Sequence, residues 1–156
     1  MAEVIRPKFD VIRGWAGGTF GGSAHDRTFD KVVDGAGAPA KLKRGYFVTL
    51  HASGGCTLVT NTTGTAKDDY TVWCIVEGND PADSYSGDFV DKVVAIRGTY
   101  EVLLSETLFT AGSYAPNDKV YFLAGLVTKV ATTEPAMGTV LAYDAASKLL
   151  TVAFSL

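Results

Sequence analysis

Chemistry in this chain would have to use two histidines, two cysteines and a scatter of acids. His25 stands beside Asp26 in a glycine-rich stretch, and His51 precedes Ser53 in "LHASGGC". Nucleophilic catalysis needs a nucleophile, a base and an orienting acid held in one place. No G-x-S-x-G surrounds Ser53, and the glycines around His25 offer little rigidity. Both histidines therefore read as surface side chains. Cys56 and Cys74 form no C-x-x-C pair, so a zinc site would need four scattered ligands. They read as small core residues on two strands, facing each other if those strands pair, and reduced in a cytosolic product. Asp80, Asp83, Asp88 and Asp91 share one turn-rich stretch, but their spacing does not match a twelve-residue calcium loop. "GAGAPA" at 35–40 loosely satisfies G-x-G-x-x-A, yet Pro39 interrupts it and "KLKRGYF" opens no helix. The sequon at Asn61 has meaning only in a secretory pathway. The expectation is a protein that is not an enzyme, with no catalytic residue, cofactor or metal.

The elements that would position any site come in two parts. At 156 residues the chain fits one domain, or one domain plus an arm. Residues 1–45 hold eight Lys and Arg against five acids, and the rest holds six against twelve. The overall balance is −3, which argues against bulk nucleic-acid binding. No apolar run is long enough to span a bilayer, and "MAEVIRPKFDVIRGW" has no signal-peptide core. The glycines of "RGWAGGTFGGSAHD" and "VDGAGAPAK" leave the backbone poorly ordered on its own. Residues 1–42 therefore read as an extended arm. It is not plain linker, because Phe9, Val11, Ile12, Trp15, Phe20 and Phe29 are spaced along it. Those side chains must bury against the protein's own body or against a partner.

Residues 43–156 read as β structure. "GYFVTLHA" and "CTLVTNT" form a hairpin, and "DYTVWCIVEG" is a strand buried on both faces. "FVDKVVAIRGTYEVLLS" is one long strand or two joined at Gly98. Tyr100–Phe109 also fits one face of a helix, and a short apolar run does not decide between the two. "KVYFLAG" with "LVTKVAT", and "MGTVLAY" with "KLLTVAFSL", close the chain as hairpins. Strands at this spacing predict an all-β fold, a compact β-barrel or β-sandwich with an extended N-terminal arm.

The order "KRGYFVTLHASGG", "DKVVAIRGTYEVLLSETLF", "YAPNDKVYFLAGLVTKV" and "MGTVLAYDAASKLLTVAFSL" resembles the capsid decoration (cement) proteins of tailed bacteriophages. The likeness covers about three quarters of the chain and consists of hairpins and turn residues rather than a catalytic motif. Relatives commonly introduce the "KVYFLA" strand with Gly-Asp, where this chain has Asn117-Asp118. The resemblance implies a virion protein on the capsid exterior, made in the bacterial host cytoplasm. It would act as a homotrimer that clamps neighbouring copies of the major capsid protein, with no direct nucleic-acid or membrane contact. Ordering an arm costs about 1–2 kcal/mol per residue, so strand pairing and apolar burial must offset it. Phe9, Trp15 and Phe20 are the expected anchors, with Arg6, Lys8 and Arg13 facing an acidic rim. "FDVIR" would add as a strand to a capsid or neighbouring-subunit sheet edge. Two other readings are a tail or fibre module and a carbohydrate-binding β module using Tyr70, Trp73, Tyr85, Tyr100 or Tyr114. In the last of these Trp73, inside "TVWCIV", reads equally well as core.

Overall fold

A computed structural model describes residues 9–13, 25–59, 71–80, 92–130 and 136–155. Turn chemistry sets much of the path. Strands β1 (Phe9–Arg13) and β2 (His25–Phe29) come first. The hairpin of β3 (Phe47–Leu50) and β4 (Cys56–Leu58) turns through Gly54 and Gly55, both at positive φ. Strand β5 (Trp73–Glu77) follows, then β6 (Val93–Arg97) and β7 (Thr99–Ser105), joined at Gly98. Strands β8 (Lys119–Leu123) and β9 (Leu126–Thr128) are linked by Ala124 and Gly125 at φ 50° and 79°. Two positive values in a two-residue loop match the right-handed twist of a hairpin. The last pair is β10 (Gly138–Asp144) and β11 (Leu149–Ser155). Their turn is held by the Asp144 carboxylate, which accepts the N–H groups of Ala146 and Ser147.

The strands form two antiparallel sheets, in the orders β1-β7-β11-β10-β8-β9 and β2-β6-β5-β3-β4. The expected all-β architecture is present. One corner between the sheets is the continuous path through Gly98. At another place Gly125 bonds through its backbone to Phe47 and Val59. The body is thus a sandwich drawn partway towards a barrel.

The main core lies between the sheets. Phe47 from one sheet meets Phe122 and Phe154 from the other, with ring centroids 4.4 and 5.0 Å apart. Strand β5 is buried on both faces, as its unbroken apolar run predicts. Cys74 and Val76 enter the main core. Trp73 and Ile75 point the other way, into a second core with Phe29, Val32, Leu42, Val48, Cys56, Val93 and Ala95.

That second core shifts the expected boundary of the arm. Residues 25–42 belong to the body. Strand β2 pairs with β6 over five residues, and a strap after it covers the outer face of its sheet. The strap is held mainly by backbone bonds. Cys56 N–H donates to Lys31 O, Val33 N–H to Cys56 O, and Ala40 N–H to Val32 O. The buried Asn79 closes it, accepting from Leu42 N–H at 2.7 Å and donating to Ala40 O at 3.2 Å. Tyr100–Phe109 is also settled: β7 occupies Thr99–Ser105, and a single 3-10 turn, Glu106–Leu108, follows it. Alternate residues Tyr100, Val102 and Leu104 are buried, which is the period of a strand. The cysteines do not face each other. Strands β4 and β5 both pair with β3, which lies between them, and the two thiols enter different cores.

Candidate functional site

Strands β1 and β2 both pair with the chain that forms the β6–β7 corner. Chain 93–105 crosses from one sheet to the other at Gly98. The N-terminal segment runs antiparallel beside both halves. Phe9 pairs with Leu104 and Arg13 with Glu101, then His25 pairs with Arg97 and Phe29 with Val93. Three residues, Gly98–Tyr100, separate the two ladders on one side, and eleven, 14–24, separate them on the other. Strands β1 and β2 are each the outermost strand of their sheet. "FDVIR" thus adds to a sheet edge, but the edge is that of its own body. Of the expected contact residues, Phe9 and Arg13 lie on β1. Arg6, Lys8, Trp15 and Phe20 lie outside the described residues.

Beside this corner His25, Asp26, Arg27, Trp73, Arg97 and Gly98 line a cleft of about 440 Å³. The period of a strand explains its content. Phe29 enters the second core, so Arg27 and His25 share its face of β2. Ala95 enters the same core, so Arg97 shares its face of β6. The Arg27 guanidinium lies 5.0 Å from the Phe29 ring centroid and 5.7 Å from that of Trp73. Arg97 lies 5.9 Å from Trp73. Cations over these ring faces are attracted by the aromatic quadrupole. Among the described residues no carboxylate pairs with either arginine. The sequence reading missed this pair. Its only signal was the alternation in "HDRTF" together with an arginine closing "VVAIR".

The other candidates are dispersed. His51 Nδ1 lies 2.7 Å from Ser53 Oγ and also accepts the Ser53 N–H, while Nε2 lies 3.2 Å from Gly35 O. A carbonyl only accepts, so Nε2 carries the proton and the serine hydroxyl donates to Nδ1. The ring ties the β3–β4 tip to the strap. Where a triad would place an acid, it meets a carbonyl. His25 is exposed at the start of β2. Among the described residues no three His, Cys, Asp or Glu side chains gather as metal ligands. Asp83, Asp88, Asp91 and Asn61 lie outside those residues. Of the proposed sugar-stacking rings, Tyr100 is in the main core, and Tyr114 is buried edge-on to Phe109 and Tyr143. Trp73 is only 6% exposed. Tyr70 and Tyr85 lie outside the described residues.

Burial governs the thiols. Loss of hydration pushes Cys56 from its ordinary value of 9.0 up to about 12, partly opposed by a backbone hydrogen bond, and raises Cys74 still further. A raised folded value means the native state holds its proton more tightly. The resulting stability is complete below pH 9 and is lost as the unfolded chain ionises above it. Urea titrations between pH 8 and 11 should show falling stability, and Cys56→Ala together with Cys74→Ala should flatten that fall. Alkylation by iodoacetamide should proceed at the rate of opening, not at that of an exposed thiol.

Comparison with family models, curated proteins and solved structures found no match for this chain.

Proposed function

We propose that the protein is a structural virion component that binds the outer surface of a tailed-phage capsid and clamps neighbouring major capsid subunits as a homotrimer. One observation carries the reading. The N-terminal segment adds an edge strand, β1, to the sheet that contains β7. An edge strand held by one ladder is suited to pairing with another chain. Three such segments on a trimer would act at high effective concentration. The resemblance over residues 43–156 supports the same reading. Asn117 adds a physical reason, since its φ of 74° is the left-handed backbone that favours the glycine found at that place in the decoration family.

The experiment uses capsids that lack this protein. The full chain should sediment with them to a saturable plateau, and should raise the temperature at which packaged DNA is released. Absence of saturable binding would contradict the proposal.

A further inference from the structure

We propose that the cleft beside Gly98 is a docking site for an extended acidic segment of a partner chain. The segment pairs along the outer edge of β2 and sets alternate carboxylates against Arg27 and Arg97. The inference names the chemistry of the partner's segment, whatever larger particle carries it, and therefore goes beyond the capsid reading.

The charge arrangement comes first. Arg27 lies opposite Ala95, so Arg97 is its diagonal neighbour across the β2–β6 ladder, with backbones about 7–8 Å apart. Both guanidinium groups rest on one indole, Trp73. Two like charges are held together, and no described carboxylate forms an ion pair with either, although Asp26 lines the same cleft. An anion between them relieves the repulsion. A carboxylate does so with directional bonds, because its two oxygens match the planar fork of a guanidinium. The Phe29 and Trp73 rings hold Arg27 in place before any ligand arrives, which lowers the ordering cost of binding.

The backbone supplies the second element. Strand β2 is outermost in its sheet, and its first four residues are exposed. Among the described residues its outer edge carries no ladder. An incoming strand can therefore bond to it through main-chain groups. Side chains two apart on such a strand share a face and sit about 7 Å from one another. That spacing matches His25 and Arg27, which are also two apart, with Arg97 opposite His25. The recognised pattern is acid-x-acid in extended conformation.

Two alternative ligands fit less well. A free phosphate uses the arginines but not the strand edge. A nucleic acid likewise offers no alternating main-chain N–H and C=O groups to pair along the edge of β2.

The test is a titration of the isotopically labelled full chain, followed by amide and indole NMR shifts. The probes are acetyl-Thr-Glu-Thr-Glu-Thr-Glu-amide, its glutamine counterpart, an eight-residue oligothymidylate and sodium phosphate. The acidic peptide should saturate, with shifts concentrated at His25–Phe29, Trp73 and Arg97, and the glutamine peptide should not. Arg27→Gln with Arg97→Gln should weaken binding at least tenfold, while the native spectrum persists elsewhere. Arg27→Lys with Arg97→Lys keeps the charge and loses the fork, and should weaken it severalfold. The proposal is overturned if the acidic peptide fails to saturate or shifts other residues. It is equally overturned if phosphate or the oligonucleotide binds these residues more tightly than the peptide, or if both double variants bind like the parent chain. Capsid sedimentation can succeed or fail independently of every one of these results.

Discussion

Phe47→Ala should lower the unfolding free energy by about 3–5 kcal/mol, the range for deleting a buried ring from a core that cannot collapse around it. Phe47 is fully buried and is the ring through which one sheet meets Phe122 and Phe154 of the other. Those two rings are themselves stacked, with centroids 5.8 Å apart, so they have no free room to fill the void. The backbone of Phe47 also bonds to Gly125 and Val59, which keeps the sheets at their present spacing. Phe47→Leu keeps most of the apolar volume and should cost far less. Urea denaturation of both variants measures the difference. A loss below about 1 kcal/mol for the alanine variant would mean the core closes around the gap, contrary to this packing.

The second large effect is expected at Gly55. A Cβ there would stand 2.2 Å from Lys31 O and 2.8 Å from Lys31 Cβ, on a backbone with φ of 79°. Gly55→Ala should cost about 2–4 kcal/mol, combining left-handed strain with the steric clash. The neighbouring Gly54 provides the control. It has φ of 94° but nothing within 4 Å of the added atom, so its alanine variant carries the backbone strain alone. The difference between the two variants isolates the contact with the strap. Hydrogen exchange at Cys56 and Val33, whose amides bond across that contact, should accelerate in Gly55→Ala and not in Gly54→Ala. Equal losses at both glycines would show that the strap does not depend on this close approach. The strap begins directly after β2, so its displacement should also weaken peptide binding at the cleft.

The body was legible because its strands obey simple patterns. The continuous apolar run of β5 announced a strand buried on both faces, and Gly98 marked the joint between β6 and β7. The turn at Ala124-Gly125 and the closing hairpin followed from short-range signals. Residues 25–42 were not legible. "HDRTF" lacks an apolar alternation because β2 is an edge strand with only Phe29 buried. The strap after it is glycine-rich and held by backbone bonds, by Asn79 and by the buried Val32, Val33 and Leu42, whose spacing follows neither a strand nor a helix period. The helical alternative at Tyr100–Phe109 arose because Val102, Leu103, Leu104 and Leu108 suit either period. The surroundings of β7, between β1 and β11, decide for the strand. The cleft was hidden for a different reason. Arg27, Trp73 and Arg97 are distant in sequence, and only the β2–β6–β5 order brings them to one face.

We propose that the N-terminal segment fastens this β body to a capsid lattice. Removing residues 1–22 takes away β1, the outermost strand on β7, and leaves β2, which begins at His25. The decisive measurement is co-sedimentation of the full chain and of this truncated chain with capsids stripped of the protein. We expect saturable binding at a stoichiometry set by the lattice for the full chain, and loss of that binding for the truncated chain, whose amide NMR spectrum should retain the native shifts of the strands other than β1 and its neighbour β7. Equal binding of the two would contradict the role of the segment, and binding of neither would contradict the capsid reading itself.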